Sequence, residues 1–399
     1  MNKKNIYDII IIGSGVSGLF FASGLGKKVN GLILNQAKTP GLKLLMSGGG
    51  SCNLTHSGSI KDFTDCYFEN GKKIRGCLYK YSNISLMEFF QSRGLKLLTR
   101  DDGKVFPNSM KAKDVLDLLL EESRKNGFEL KNNCKVTAIS PGDEYHIIVA
   151  GNDKLCCKYL VIASGGCSYP TTGSDGSMFS IIKTLPGVKV EPLHPSLAPI
   201  YVKNYPYSEL SGISFPGAEG SIYRDEKKIA SITGDLLLTD RCFSGPLALH
   251  LSREANPNDK LIINYLGNEF DMSYKKKISK LLAETKSKPS TVLSKEFTIP
   301  KKFSDCIDKR ASGKASEIAS MLLSDSFDIE YPGGFNKAMA TRGGISLSSV
   351  STKSFELKSC DRIYALGEVL DVDAMTGGYN IQFAYSSAMA AAASVLEKL

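Results

Sequence analysis

Three glycines, Gly13, Gly15 and Gly18, stand in the spacing G-x-G-x-x-G within the run Gly13-Ser14-Gly15-Val16-Ser17-Gly18. The chemistry that this spacing serves is the binding of a dinucleotide pyrophosphate. The first glycine permits a tight turn, the second lets phosphate oxygens approach the backbone, and the third lets a helix pack closely on a strand. Free N–H groups and the positive dipole end of the helix then hold the negative charge. The flanking sequence supplies the elements that this requires. The apolar run Ile6 to Ile12 reads as a parallel strand buried on both faces, a small-residue helix follows to about Lys27, and Gly31 to Leu34 reads as the next strand. At its end stands Asn35, where an acid is expected to bind ribose hydroxyls; its amide accepts or donates there without charge.

A second segment, Gly41-Leu-Lys43-Leu-Leu-Met-Ser47-Gly48-Gly49-Gly50-Ser-Cys52-Asn53, is too glycine-rich for a core element. Three consecutive glycines let a backbone lie flat against a ligand. Cys52, inside this segment, is a candidate acid or thiolate, or an ordinary packed thiol. Arg342 is a candidate anchor for an anionic or carbonyl substrate, or one half of a structural ion pair. Tyr379 is a candidate proton donor, or a buried hydroxyl that merely satisfies a hydrogen bond.

Here the chain resembles the BaiN/YhiN-like (RdsA-like) bacterial flavoproteins, a branch of the glutathione-reductase-like FAD proteins. The glycine-rich segment is similar to the family's GRK…SGGGRCN…T pattern, with Leu42 and Ser51 where the family usually carries arginine. Further matches run in order along the chain. They are Gly103-Lys-Val-Phe-Pro107, Val161 to Gly176, His194-Pro-Ser-Leu197, Gly234 to Pro246, Thr341 to Ile345 and Ala365 to Gln382. In the fourth of these, Arg241 and Cys242 replace an expected aromatic and a glycine. The resemblance implies an α/β fold with a Rossmann-like, glutathione-reductase-type FAD-binding domain that is discontinuous in sequence. It also implies further cofactor contacts at Val136, Ala163, Ser164, Gly165, Gly166, Gly367, Gly377, Gly378, Asn380 and Ile381. The start of the last helix would face the flavin pyrimidine edge, where reduced flavin carries negative charge. Glu368 and Asp373 would lie on the ribityl or phosphate side and bind hydroxyls, or else cap and shape turns.

With 399 residues, two or three domains are expected. The expected division is 1–190 with 338–399 for the cofactor, 191–255 with 325–337 as an inserted β-rich domain, and 256–324 as a basic helical domain, its pattern broken near Lys288 to Pro300. Hydrophobic residues make up 42% and charged ones 23%, and no apolar stretch reaches membrane-spanning length. The opening residues show no signal-peptide pattern, so a cytoplasmic location is expected. Ten cysteines without a CxxC and four scattered histidines point to reduced thiols and no metal site. A glutathione-reductase-type dithiol relay is not expected either.

The net charge of +9 is concentrated. Asp271 to Lys314 contains twelve Lys or Arg against five Asp or Glu. This is a solvated helical surface or a phosphate-binding patch. In the second case Lys275, Lys276, Lys277, Lys280, Lys301, Lys302, Lys309, Arg310 and Lys314 are the candidate RNA contacts. Only one dinucleotide fingerprint is present, so NADH or NADPH is expected to reach the flavin transiently. The resemblance implies a range of activities: reduction of conjugated C=C bonds in steroids, amine oxidation, and reduction of uracil in ribosomal RNA. The basic segment favours the last, giving dihydrouridine. A small-molecule ene-reductase, an amine oxidase and a non-enzymatic flavin-containing binding module remain alternatives.

Overall fold

The structure, a computed structural model, describes residues 6–399. Of the opening stretch read for a signal peptide, residues 1–5 lie outside that range. The chain divides into two compact units, Met1–His194 with Ala340–Leu399, and Pro195–Met339.

The first unit is built on a seven-stranded sheet. Four of its strands, Phe128–Lys131, Gly31–Leu34, Ile6–Ile12 and Asp153–Ile162, lie side by side and parallel. The long strand Asp153–Ile162 pairs along its first half with His146–Ala150, antiparallel, and along its second half with Ile363–Ala365, parallel. Ile9, Ile10 and Ile11 are fully buried, as a continuous apolar run in a doubly covered parallel strand requires. The first helix, Val16–Gly24, is shorter than the run to Lys27 expected from sequence. Leu25 caps it and Gly26 turns left-handed immediately after. The last helix, Tyr379–Lys398, packs its alanine-rich face on the first helix, where small side chains allow close approach. All ten cysteines are free thiols.

The second unit is a closed six-stranded barrel with the short helix Gly245–Leu251 and four later helices. Around the barrel run Ile200–Val202, Phe243–Ser244, Lys227–Leu238, Ser214–Arg224, Lys260–Asn264 and Asp325–Pro332, each antiparallel to its neighbours. The four later helices are Lys275–Glu284, Pro289–Phe297, Lys301–Arg310 and Ala315–Ser324. The break expected near Lys288 to Pro300 is the second of these: Pro289 occupies its first turn and Thr298, at φ 57°, ends it.

Sequence patterning alone sets a boundary at 255/256, yet one hydrophobic core runs across it. Ile278, Leu282, Phe303, Ile307, Ile318 and Leu322 from the helices share that core with Phe215, Leu236, Ile263 and Phe327 from the barrel. The strand Lys260–Asn264 lies inside the segment read as helical. Each helix carries an apolar stripe, such as Ile278 and Leu282, Val292 and Leu293, Phe303 and Ile307, or Ile318 and Leu322, which has to be buried against another surface, and the barrel provides it. Among the described residues, no helix is long and apolar enough to cross a membrane.

Candidate functional site

The G-x-G-x-x-G turn separates what the protein needs from what a ligand needs. A methyl group on Gly13, whose φ is +109°, would lie 2.3 Å from the Ala163 carbonyl oxygen. On Gly18 it would lie 2.2 Å from the Gly13 oxygen. Both glycines are therefore demanded by packing inside the protein. Gly15 is not: its φ of −73° suits any residue, and no protein atom lies within 4 Å of where its side chain would begin. The open space before this helix, which starts without a side-chain cap, is a cradle of the shape that a pyrophosphate fills. Nearby, the hydroxyls of Ser164 and Ser174 are buried without a hydrogen-bond partner, and Ser174 Oγ packs at Gly165. Buried hydroxyls of this kind call for a ligand or water to complete them. The residues present thus fit an FAD.

Gly48, Gly49 and Gly50 all have positive φ (56°, 64° and 91°), a path closed to most side chains. Cys52 follows at φ 60° and is fully buried. Burial pushes its thiol up to about 12, against a smaller opposing effect of Ser47. The thiolate role considered for Cys52 does not fit this position, because desolvation keeps the sulfur protonated and solvent does not reach it.

Glu368 stands at the centre of a network. Its Oε2 accepts from Lys43 Nζ at 2.5 Å, and its Oε1 accepts from the Ser168 hydroxyl at 2.5 Å and the Thr341 backbone N–H at 2.9 Å. The Thr341 hydroxyl in turn accepts the N–H groups of Cys167 (2.8 Å) and Ser168 (3.1 Å). Four sequence-distant segments are tied together here. Sequence reads Glu368 as a binder of cofactor hydroxyls or as a residue that shapes a turn; in the structure its carboxylate bonds to Lys43, Ser168 and the Thr341 N–H. Sequence reading does not single out Ser168 and Thr341, although both lie in the motifs that carry the resemblance.

Other expected contacts are partly committed within the protein. Asn35 is buried and donates both amide hydrogens, to the Ala37 carbonyl at 3.0 Å and to Asn132 Oδ1 at 2.8 Å, which leaves its oxygen for a ribose. The Asn380 side chain bonds both ways to the Ala374 backbone, at 3.1 Å each, and closes the turn before the last helix. Asp373 and Val136 are buried, Asn53 and Ile381 partly so. Asp371 is held by Gly343 N–H at 3.0 Å and by Asn70 at 3.4 Å, and burial raises its pKa.

Gly377, Gly378 and the uncapped start of the last helix adjoin the glycine-rich segment. A side chain on Gly378 would strike the Thr55 backbone at 2.6 Å, and Thr55 Oγ1 donates to Gln382 Oε1 at 2.7 Å. Tyr379, at that start, stacks on His56 (5.9 Å, 19°) and meets Phe63 edge-on. Burial, with Cys66 bonded to its hydroxyl, lifts its pKa above the ordinary tyrosine value, so it carries its proton. Arg342 is half-exposed and makes one loose ion pair, 3.7 Å to Glu69.

In the second unit, Lys276, Lys277, Lys280, Lys301, Lys302, Lys309 and Lys314 are exposed. Arg310 differs from the other RNA-contact candidates. Its guanidinium forks onto both oxygens of the buried Asp325 (2.9 and 3.1 Å) and also reaches the Tyr207 hydroxyl. That places it in the barrel's own core and removes it from the set of free cations.

A nucleotide cradle on a parallel sheet, a glycine-rich loop against it and an uncapped helix beside both define an FAD-dependent oxidoreductase of the Rossmann class. The family model "HI0933-like protein Rossmann domain" matches residues 7–394, and the chain belongs to that family. The chain is 26% identical to a ribosomal RNA dihydrouridine synthase of Escherichia coli, covering 98% of each. It is also 26% identical to a 3-dehydro-bile acid delta(4,6)-reductase of Clostridium scindens, covering 97% of this chain and 98% of that one. In fold it is similar to a flavocytochrome c3 fumarate reductase in its open conformation, at TM-score 0.54 and 14% identity, over 99% of this chain and 79% of that one.

Proposed function

We propose that the protein reduces an activated C=C bond, with NADH or NADPH as electron source, and that the bond is C5=C6 of a uracil in ribosomal RNA. The first half is supported by the names of two full-length relatives, which both describe saturation of a C=C bond, one in RNA and one in a bile acid. Their identities to this chain are equal, so they do not choose between the substrates. The observation that carries the RNA half is the belt of exposed lysines on Lys275–Glu284 and Lys301–Arg310, facing away from the apolar stripes buried on the barrel.

FAD, when bound, supplies hydride chemistry. The chain's own groups do the rest. Gly15 and the first helix would hold the pyrophosphate of a bound FAD. The N-terminus of Tyr379–Lys398 would offer backbone N–H groups and its dipole to negative charge on it. Arg342 orients a substrate carbonyl, and Tyr379 keeps a proton at its hydroxyl oxygen for delivery. Reduction of uracil adds a hydride at C6 and a proton at C5. A paired or stacked target must first be extruded, at a cost of a few kcal/mol, and phosphate contacts to the lysines help offset this.

The test is to reduce the FAD-loaded protein anaerobically with NADH or NADPH, then add ribosomal RNA from cells lacking this gene. Flavin reoxidation with dihydrouridine found by nucleoside mass spectrometry supports the reading. Reoxidation by steroid enones alone, or only when air is admitted, replaces it with small-molecule reduction or oxidase chemistry.

A further inference from the structure

The barrel unit carries an open cavity of about 470 Å³, lined in part by Tyr201, Tyr205, Asp240, Arg241, Glu330 and Tyr331. Strand pairing builds its aromatic wall. Tyr201 and Tyr331 face each other in register on antiparallel strands, so their rings stack at 4.6 Å and 17°. Tyr331 is 44% exposed, which leaves a ring face open to solvent. An open tyrosine face is a stacking platform for any base.

The polar groups beside the platform narrow the choice. Asp240 and Glu330 are carboxylate acceptors, suited to the exocyclic amino group of cytosine or adenine, which uracil lacks. The Arg241 side chain, 82% exposed, makes an ion pair at 3.4 Å with Asp240, itself 70% exposed. An exposed pair of that kind yields readily to a phosphate.

A basic helix packs on a segment that contributes to the lining of this cavity. Tyr205 and Ser208, which line it, flank a segment held by the helix Lys301–Arg310 through Cys306 Sγ to the Pro206 oxygen (3.9 Å) and Arg310 to the Tyr207 hydroxyl. Lys302 and Lys309 stand four residues before and three after Cys306, on its side of the helix, and both are exposed. A polyanion carrying an amino-bearing base suits both features at once.

We propose that this cavity is a base-binding site for an unpaired cytosine or adenine of the RNA substrate. The base stacks on Tyr331 and donates its amino group to Asp240 or Glu330, with its flanking phosphates on Arg241, Lys302 and Lys309. The inference rests on the RNA reading above and adds a recognition element to it.

The experiment uses the full-length, FAD-loaded protein and fluorescence anisotropy with labelled hexamers of C, A and U at several salt concentrations. Wild type binds the C and A hexamers more tightly than U. Tyr331→Ala weakens them by at least about fivefold. Asp240→Asn with Glu330→Gln abolishes the preference over U, and Lys302→Gln with Lys309→Gln lowers the salt slope by about two. Circular dichroism and melting confirm that each variant is folded. Equal binding of all three hexamers, no binding, or unchanged binding by folded Tyr331→Ala would each overturn the site. Dihydrouridine formation on ribosomal RNA is scored separately. Its presence with an indifferent Tyr331→Ala sinks this site alone, whereas hexamer binding without it sinks the reductase reading and leaves the site standing.

Discussion

Lys43 and Glu368 are 325 residues apart in the chain, yet the Lys43 ammonium and a Glu368 carboxylate oxygen meet at 2.5 Å. Ser168 and Thr341 complete the same contact, so the loop after the second strand, the loop after Asp153–Ile162 and both C-terminal segments are held by one carboxylate. Glu368→Gln keeps the shape and removes the charge. It is expected to lower stability by about 1–3 kcal/mol, because a partly buried ammonium loses its counter-ion. The same variant should lose FAD more readily. Urea unfolding and FAD titration of the purified variant check both outcomes, and an unchanged unfolding midpoint would show that the network is ornamental.

Gly15 and Gly18 give opposite signatures on replacement by alanine. Gly15→Ala should leave the melting temperature of the cofactor-free protein unchanged, since its methyl meets no protein atom within 4 Å. Its FAD affinity should fall at least about tenfold, because the methyl enters the pyrophosphate's approach. Gly18→Ala should destabilise the cofactor-free protein itself, its methyl being 2.2 Å from the Gly13 carbonyl oxygen. Melting curves with and without FAD separate the two cases.

Cys52 should resist alkylation. With its thiol pushed up to about 12, on the order of one molecule in ten thousand is thiolate at pH 8, and the side chain is buried. Iodoacetamide followed by peptide mapping should label the partly exposed Cys66 and Cys306 well before Cys52. Early labelling of Cys52 would restore it as a thiolate candidate.

Arg310 should behave as a folding residue. Arg310→Ala strands the buried Asp325 and is expected to cost about 3–5 kcal/mol. Lys302→Gln with Lys309→Gln should leave stability within about 0.5 kcal/mol, both side chains being exposed. Denaturant unfolding of the two variants decides, and a stable Arg310→Ala would return that guanidinium to the RNA surface.

Stability should decline as pH falls from about 6.5 towards 4. Burial, helped by Arg362 at His146, pushes both His146 and His250 down to about 4. In that window the unfolded chain takes up protons that the native state refuses, so acidification favours unfolding. Each histidine contributes a slope approaching about 1.4 kcal/mol per pH unit. Urea midpoints at pH 7, 6 and 5 should show this, and His146→Phe should make the dependence shallower.

The sequence by itself determined the cofactor cradle, because its signals are local. A buried strand, three glycines at fixed spacing and a helix start lie within twenty residues, and each has a conformational reason to be what it is. The positive-φ run at Gly48 to Gly50 and the final helix were legible for the same reason. What only the tertiary structure decided was which polar groups are already committed. Arg310 reads as one more cation in a basic segment until Asp325 is found beneath it. Glu368 reads as a ligand for hydroxyls or as a turn residue, and only the fold brings Lys43 onto its carboxylate. The helical segment reads as a domain of its own until its apolar stripes are seen to share the barrel's core. Residue type and spacing fix local backbone geometry. Charge pairing and burial depend on partners tens to hundreds of residues away, and the fold alone brings those together.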